Sequence, residues 1–174
     1  MRNFIFSIFF IFGAACLANI NYLDANQFSE VPVAIQKVIE SQNCKVPQSF
    51  VSKSPHNVVQ GSFANKKSKD WAFLCSKNGK SSIFVIWEKE KSCPSEVAAA
   101  EDSNYIQETN KNNSAFSRFL STASKETILK HQKNYGGSLP KHLSHQGIGD
   151  AFAEKASVTY YCEKGKWLSL TGAD

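Results

Sequence analysis

His142 and His145, three residues apart, with Asp150 five residues further on, are the residues here best suited to hold a metal or move a proton. Metal ligands also need outer hydrogen-bond partners that pin their geometry, and the flanking sequence supplies none, so no metal or other cofactor is assigned. The stretch His145-Gln146-Gly147-Ile148-Gly149-Asp150 places two glycines around one apolar residue. That pattern predicts a shaped surface loop, where binding residues tend to sit. His145, Gln146 and Asp150 are therefore the candidate binding residues, and an enzyme reading would place its site at His145 and Asp150.

Other chemical signals are weaker. Gly79-Lys80-Ser81 is not a phosphate loop, because Leu74 stands where the first glycine of that motif is needed and a strand follows instead of a helix. No Gly-x-Ser-x-Gly elbow occurs. The carboxylate pairs Glu88/Glu90, Glu101/Asp102 and Asp150/Glu154 read as solvated surface, and no catalytic residue is assigned. Trp71, Trp87 and Trp167 fall in predicted strands and read as sheet packing.

Arg2, an apolar run from Phe4 to Phe12 and small residues from Gly13 to Ala18 predict a secretory signal peptide over residues 1–18. Lipidation at Cys16 is the rival, but Gly13 stands where a large aliphatic residue is usual. Either way the chain is expected to be exported, to the periplasm or beyond. Nothing after residue 18 is apolar enough to span a bilayer.

Four cysteines follow the signal: Cys44, Cys75, Cys93 and Cys162. An even number in an exported chain predicts two disulfides, and no C-x-x-C spacing suggests zinc. Of the three connectivities, Cys44–Cys75 and Cys93–Cys162 are favoured. The first would tie an early helix to a central sheet and the second would tie mid-chain to the last hairpin. Paired cysteines are not nucleophiles. The net charge of +5 is mild and scattered, with Arg118 the sole arginine beyond the signal, so nucleic acid is not an expected partner.

The elements that must position these residues read as follows. Residues 19–30 are a loose lead-in, and residues 31–174 form a single α+β domain. Apolar spacing predicts a helix from Val33 to near Gln42. Strands are expected over 57–63, 70–76 and 82–87, with Lys77-Asn78-Gly79-Lys80 as a tight hairpin turn. A short helix is expected over 95–102, loop over 103–114, and a strand over 115–122. A helix capped by Ser124 follows, burying Ile128 and Leu129 and stopping at Gly136-Gly137. Residues 139–156 read as loop, and strands close the chain at 157–162 and 166–170. The sum is an α+β fold: a mostly antiparallel sheet of about five strands with two or three helices packed on it.

Two resemblances bear on function. Tyr160-Tyr161-Cys162-Glu163-Lys164-Gly165 resembles the Y-x-C-x-x-G motif of bacterial lysozyme inhibitors of the C-type class, in which the motif lies early in a small barrel; here nine residues follow it. More broadly, NCKVPQ at 43–48, DWAFLCS at 70–76, HQGIGDAFAEKAS at 145–157 and GKWLSLTGAD at 165–174 are similar to exported bacterial proteins of unassigned function. That likeness implies an envelope location and brings no activity. The expected role is a non-enzymatic exported envelope protein that binds a protein or an envelope component. The alternatives are an enzyme with its site near His145 and Asp150, or a lysozyme-inhibitor-like module.

Overall fold

Asn78 (φ 53°) and Gly79 (φ 78°) reverse the chain in the left-handed pair of conformations that a two-residue hairpin needs. Lys164 (φ 51°) and Gly165 (φ 80°) do the same near the end of the chain. In this computed structural model, residues 20–109, 113–136, 139–140 and 142–171 are described. The expected signal segment and Cys16 lie outside them.

In chain order the elements are β1 (Tyr22–Leu23), α1 (Val33–Ser41), β2 (Val46–Pro47), β3 (Val58–Gly61), β4 (Asp70–Lys77), β5 (Lys80–Ile86) and β6 (Glu96–Glu101). There follow β7 (Ile106–Thr109), β8 (Asn113–Phe116), β9 (Arg118–Ala123), α2 (Lys125–Tyr135), β10 (Gly147–Phe152), β11 (Ala156–Glu163) and β12 (Lys166–Thr171). Every strand pair is antiparallel. The first sheet runs β3-β4-β5-β6 and the second β12-β11-β10-β9, with β1-β2 and β7-β8 as small ribbons.

Alternation along the strands explains the layering. Ala72 and Leu74 of β4, and Ile83 and Val85 of β5, face Leu120 of β9 and Ile148 of β10 to form the core between the two sheets. Phe73 and Cys75, on the other face of β4, meet Ile39 of α1 together with Phe28 and Val31. Ile128 of α2 packs with Tyr161 and Leu170 on the outer face of the second sheet. The order is thus helix, sheet, sheet, helix. Both faces of β4 are covered, which is why it carries an almost unbroken apolar run.

Five expectations are corrected. The residues described contain twelve strands in four sheets and two α-helices, not one sheet of about five strands. The Ala-rich segment 95–102 suits a helix locally, but pairing with β5 prevails and makes it edge strand β6. Residues 103–114 are not a plain loop; they hold the end of a 3-10 turn (Asp102–Tyr105), then β7 and the start of β8. The lead-in is ordered from residue 20: β1 pairs with β2, while Ala25 and Phe28 are buried. There Gln36 Nε2 donates to the carbonyls of Phe28 (2.9 Å) and Val31 (2.8 Å), fastening that segment to α1. Within α2, Ser124 accepts from the Thr127 amide and Ile128 is buried, but Leu129 is 40% exposed and not part of the buried stripe.

Cys44 is bonded to Cys75 and Cys93 to Cys162, with Cα separations of 5.3 and 6.0 Å. The first ties the segment after α1 to β4. The second ties the β5–β6 connection to β11, and so one sheet to the other. Closing such loops contributes roughly 4 kcal/mol each in the chain-entropy account. Among the described residues no helix is long and apolar enough to cross a membrane.

The two sheets also share a buried ion pair. Arg118 of β9 is fully buried and donates to both carboxylate oxygens of Asp150 on β10, from Nε at 2.9 Å and from Nη2 at 2.7 Å. Its remaining N–H groups cross to the first sheet: Nη2 to the Ala98 carbonyl (2.7 Å), and Nη1 to the Ser81 carbonyl (3.1 Å) and hydroxyl (3.0 Å). The Tyr105 ring covers the guanidinium at 4.7 Å. Burial alone would weaken proton binding, but the Asp150 hydrogen bonds and charge outweigh it, so the net shift is upward.

Removing one member of such a pair leaves a buried charge alone, at a cost of about 3–5 kcal/mol. Arg118→Lys retains the charge but not the planar five-donor fork. Urea unfolding should therefore show Arg118→Lys and Asp150→Asn both destabilised by about 3 kcal/mol or more. Midpoints within error of the parent protein would refute the assigned role.

Candidate functional site

A cleft of about 710 Å³ opens where β1, the end of α1 and the β4–β5 turn meet. That is within the range of small-ligand sites. Its wall includes Tyr22, Asp24, Glu40, Lys45, Ser76 and Lys77. Local hydrogen bonds position them. Lys45 and Ser76 form an isolated antiparallel bridge, with N–O distances of 3.1 and 2.9 Å. Lys45 Nζ reaches Asp24 Oδ1 at 3.4 Å.

Behind this wall lies Asp102, only 1% exposed. Its amide donates to the Gly79 carbonyl at the hairpin turn (2.7 Å). One carboxylate oxygen, Oδ2, accepts from both the Tyr22 hydroxyl (3.0 Å) and the Ser76 hydroxyl. The other, Oδ1, has no hydrogen-bond partner among the described residues. The Tyr22 hydroxyl is raised above its usual proton affinity, by burial first and by the adjacent Asp102 next. Ser76 gives its proton directly to a carboxylate with no imidazole between them, an arrangement unlike an activated nucleophile.

The residues singled out from the sequence sit elsewhere. Gly147 to Asp150 lie in β10, an inner strand of the second sheet, and not in a surface loop. Their glycines answer to crowding: a Cβ on Gly147 would stand 2.5 Å from Thr159 Cγ2, and one on Gly149 2.5 Å from Ser121 Oγ. Asp150 is buried against Arg118. Gln146 joins β10 to the segment after β3; its Oε1 accepts from the Ser62 amide (2.9 Å) and its amide donates to the Ser62 carbonyl (2.9 Å).

His145 stacks on Tyr161 with centroids 4.2 Å apart, and its two ring nitrogens lie 2.9 Å from the Gln146 carbonyl and 3.0 Å from the Cys162 carbonyl. It borders two smaller clefts, of about 280 and 540 Å³, and His142 lines the second of them. The structure does not bring His145 and Asp150 together through any hydrogen bond or ion pair among the described residues. No group of three His, Cys, Asp or Glu side chains among them is placed to hold a metal.

The Y-x-C-x-x-G stretch is the β11–β12 hairpin. Cys162 is in its disulfide, Tyr161 is buried in the outer cluster and Gly165 forms the turn. His56 is equally occupied: its Nε2 accepts from the Ser49 amide (2.7 Å) and its Nδ1 faces the Ser54 carbonyl (2.9 Å). Burial holds its proton affinity below the usual histidine value.

Sequence reasoning missed the Tyr22–Ser76–Asp102 cluster. These residues are separated by 54 and 26 positions, share no spacing pattern, and Asp102 reads as half of a surface pair beside Glu101. Comparisons with protein-family models, with curated proteins and with solved structures each find no match.

Because Tyr22 holds its proton more tightly when folded than when unfolded, its stabilising contribution is complete below pH about 10 and is lost as pH rises through its elevated folded value. Phenolate absorbance, taken as the difference between the parent protein and Tyr22→Phe, should show Tyr22 ionising above pH 10. In Asp102→Asn that transition should move downward. An unchanged transition would separate the two groups.

Proposed function

We propose that this protein is a non-enzymatic, exported binding protein that takes its partner, a protein or envelope component, at the cleft walled by Tyr22 and Ser76. One observation carries the reading. The groups most suited to catalysis are engaged in holding the fold: Asp150 with Arg118, His56 between Ser49 and Ser54, and His145 between two carbonyls. The cleft, by contrast, is open and lined by both charged and apolar atoms. Two disulfides suit an oxidising compartment, as would the export signal expected over residues 1–18.

Three measurements test it. Mass spectrometry of the chain recovered from an envelope fraction should give a mass starting at Asn19 with all four later cysteines paired; a lipid on Cys16 would place it on a membrane instead. The oxidised protein should turn over ester, peptide, phosphoester and glycoside substrates no faster than Ser76→Ala, and should leave lysozyme uninhibited. A photo-crosslinker at Lys77 should give one discrete envelope adduct that the same probe at Lys130, exposed on α2, does not. Turnover abolished by one substitution would overturn the non-enzymatic reading, and equal labelling from both positions would remove the cleft from it.

A further inference from the structure

Resting on that cleft as the binding site, the chemistry of its wall narrows the ligand. Tyr22 and Ser76 both commit their hydroxyl protons inward, to the same oxygen of Asp102. A hydroxyl whose proton is already donated presents only lone pairs to whatever lies in front of it. A carboxylate accepting such bonds also polarises the donor oxygens, making them better acceptors. Both residues line the cleft.

Charge points the same way. The cleft and the residue behind it carry Asp24, Glu40 and Asp102 against Lys45 and Lys77. Lys45 is already paired with Asp24. This is a locally acidic place in a chain of net charge +5. Asp102 adds the sharpest signal. It is 1% exposed, has no ion pair among the described residues, and one of its oxygens has no donor. A buried carboxylate left half-satisfied is costly, and a cation nearby relieves that cost.

We infer that the cleft binds a small organic cation through a primary ammonium group seated against the Tyr22 and Ser76 hydroxyl oxygens, with the Asp102 carboxylate behind them as its counter-charge. An ammonium supplies three donors and no acceptor, which complements an acceptor wall. Lys77 at the rim and the mixed lining allow the rest of the molecule to carry a polar or anionic group.

The test is titration of the oxidised full chain with cadaverine, with glutarate and with a neutral sugar, followed by amide NMR shifts. Cadaverine should move the Tyr22, Lys45, Ser76 and Gly79 amides, and its affinity should fall as salt is raised. Asp102→Asn should weaken it about tenfold and Tyr22→Phe about threefold. Thermal melts confirm that each variant is folded, and Tyr22→Phe carries the test if Asp102→Asn is not.

If glutarate or the sugar moves these amides and cadaverine does not, the ligand class is wrong and the cleft survives as the binding site. Equal cadaverine affinity in the parent and both variants would likewise overturn the proposed recognition. If no probe moves these amides, the proposal fails, and the Lys77 crosslink then decides the cleft separately: a discrete adduct keeps it as the partner site, and its absence removes both.

Discussion

The interaction on which the rest of this structure depends is the guanidinium of Arg118. A fully buried arginine must satisfy five N–H groups without water, and here all five are spent on Asp150, Ser81 and Ala98. Those partners belong to two different sheets. The pair therefore sets the relative placement of the sheets in a way that their apolar faces alone do not, since hydrophobic contact is non-directional. Asn57 acts beside it. Fully buried and at φ 67°, it gives its carbonyl to the Leu74 amide on β4 (3.0 Å), while its side chain engages the Arg118 carbonyl (3.1 Å) and the Leu120 amide (2.8 Å) on β9. One asparagine thus joins the edge of one sheet to a strand of the other.

Much of the local structure was legible. The Asn78-Gly79 turn, β4 and β5, α1, the Ser124 cap of α2 and the final hairpin all follow from short-range chemistry: positive-φ residues, alternation, helical spacing and a capping hydroxyl. What could not be read depends on partners distant in the chain. The segment Glu96-Val97-Ala98-Ala99-Ala100-Glu101 has helical propensity, and only the open edge of β5 turns it into a strand. Gly147 and Gly149 suggested a shaped surface loop, yet they are small because Thr159 and Ser121 stand close beside them. A glycine has the same appearance in sequence whether it supplies conformational freedom or merely space.

The candidate site illustrates the same limit. His145 and Asp150 drew attention as residue types, but the fold uses them as mortar. Asp102 passed as surface charge because sequence does not report burial. Polar residues with conspicuous chemistry are as apt to be hydrogen-bond anchors in a sheet sandwich as functional groups, since every buried polar atom requires a partner. The discriminating feature is incomplete satisfaction. Asp70 accepts from the amides of Phe63, Ala64 and Glu88 and from the Ser68 hydroxyl, and is fully used. Asp102 is not.

The two features are mechanically linked. Ser81 pairs with Ala100 and Ile83 with Val97, so β6 carries one extra residue there. Ala98 lies in that bulge at φ 58°, with its carbonyl accepting from Arg118 Nη2. An extra residue in a strand inverts the facing of everything after it. With the bulge, Glu101 stands opposite Lys80, and the Asp102 amide reaches the Gly79 carbonyl. In a regular ladder Glu101 would stand opposite Gly79 and Asp102 opposite Asn78, within the turn. The bulge whose Ala98 carbonyl meets the arginine is therefore also the one that brings the Asp102 carboxylate behind Tyr22 and Ser76.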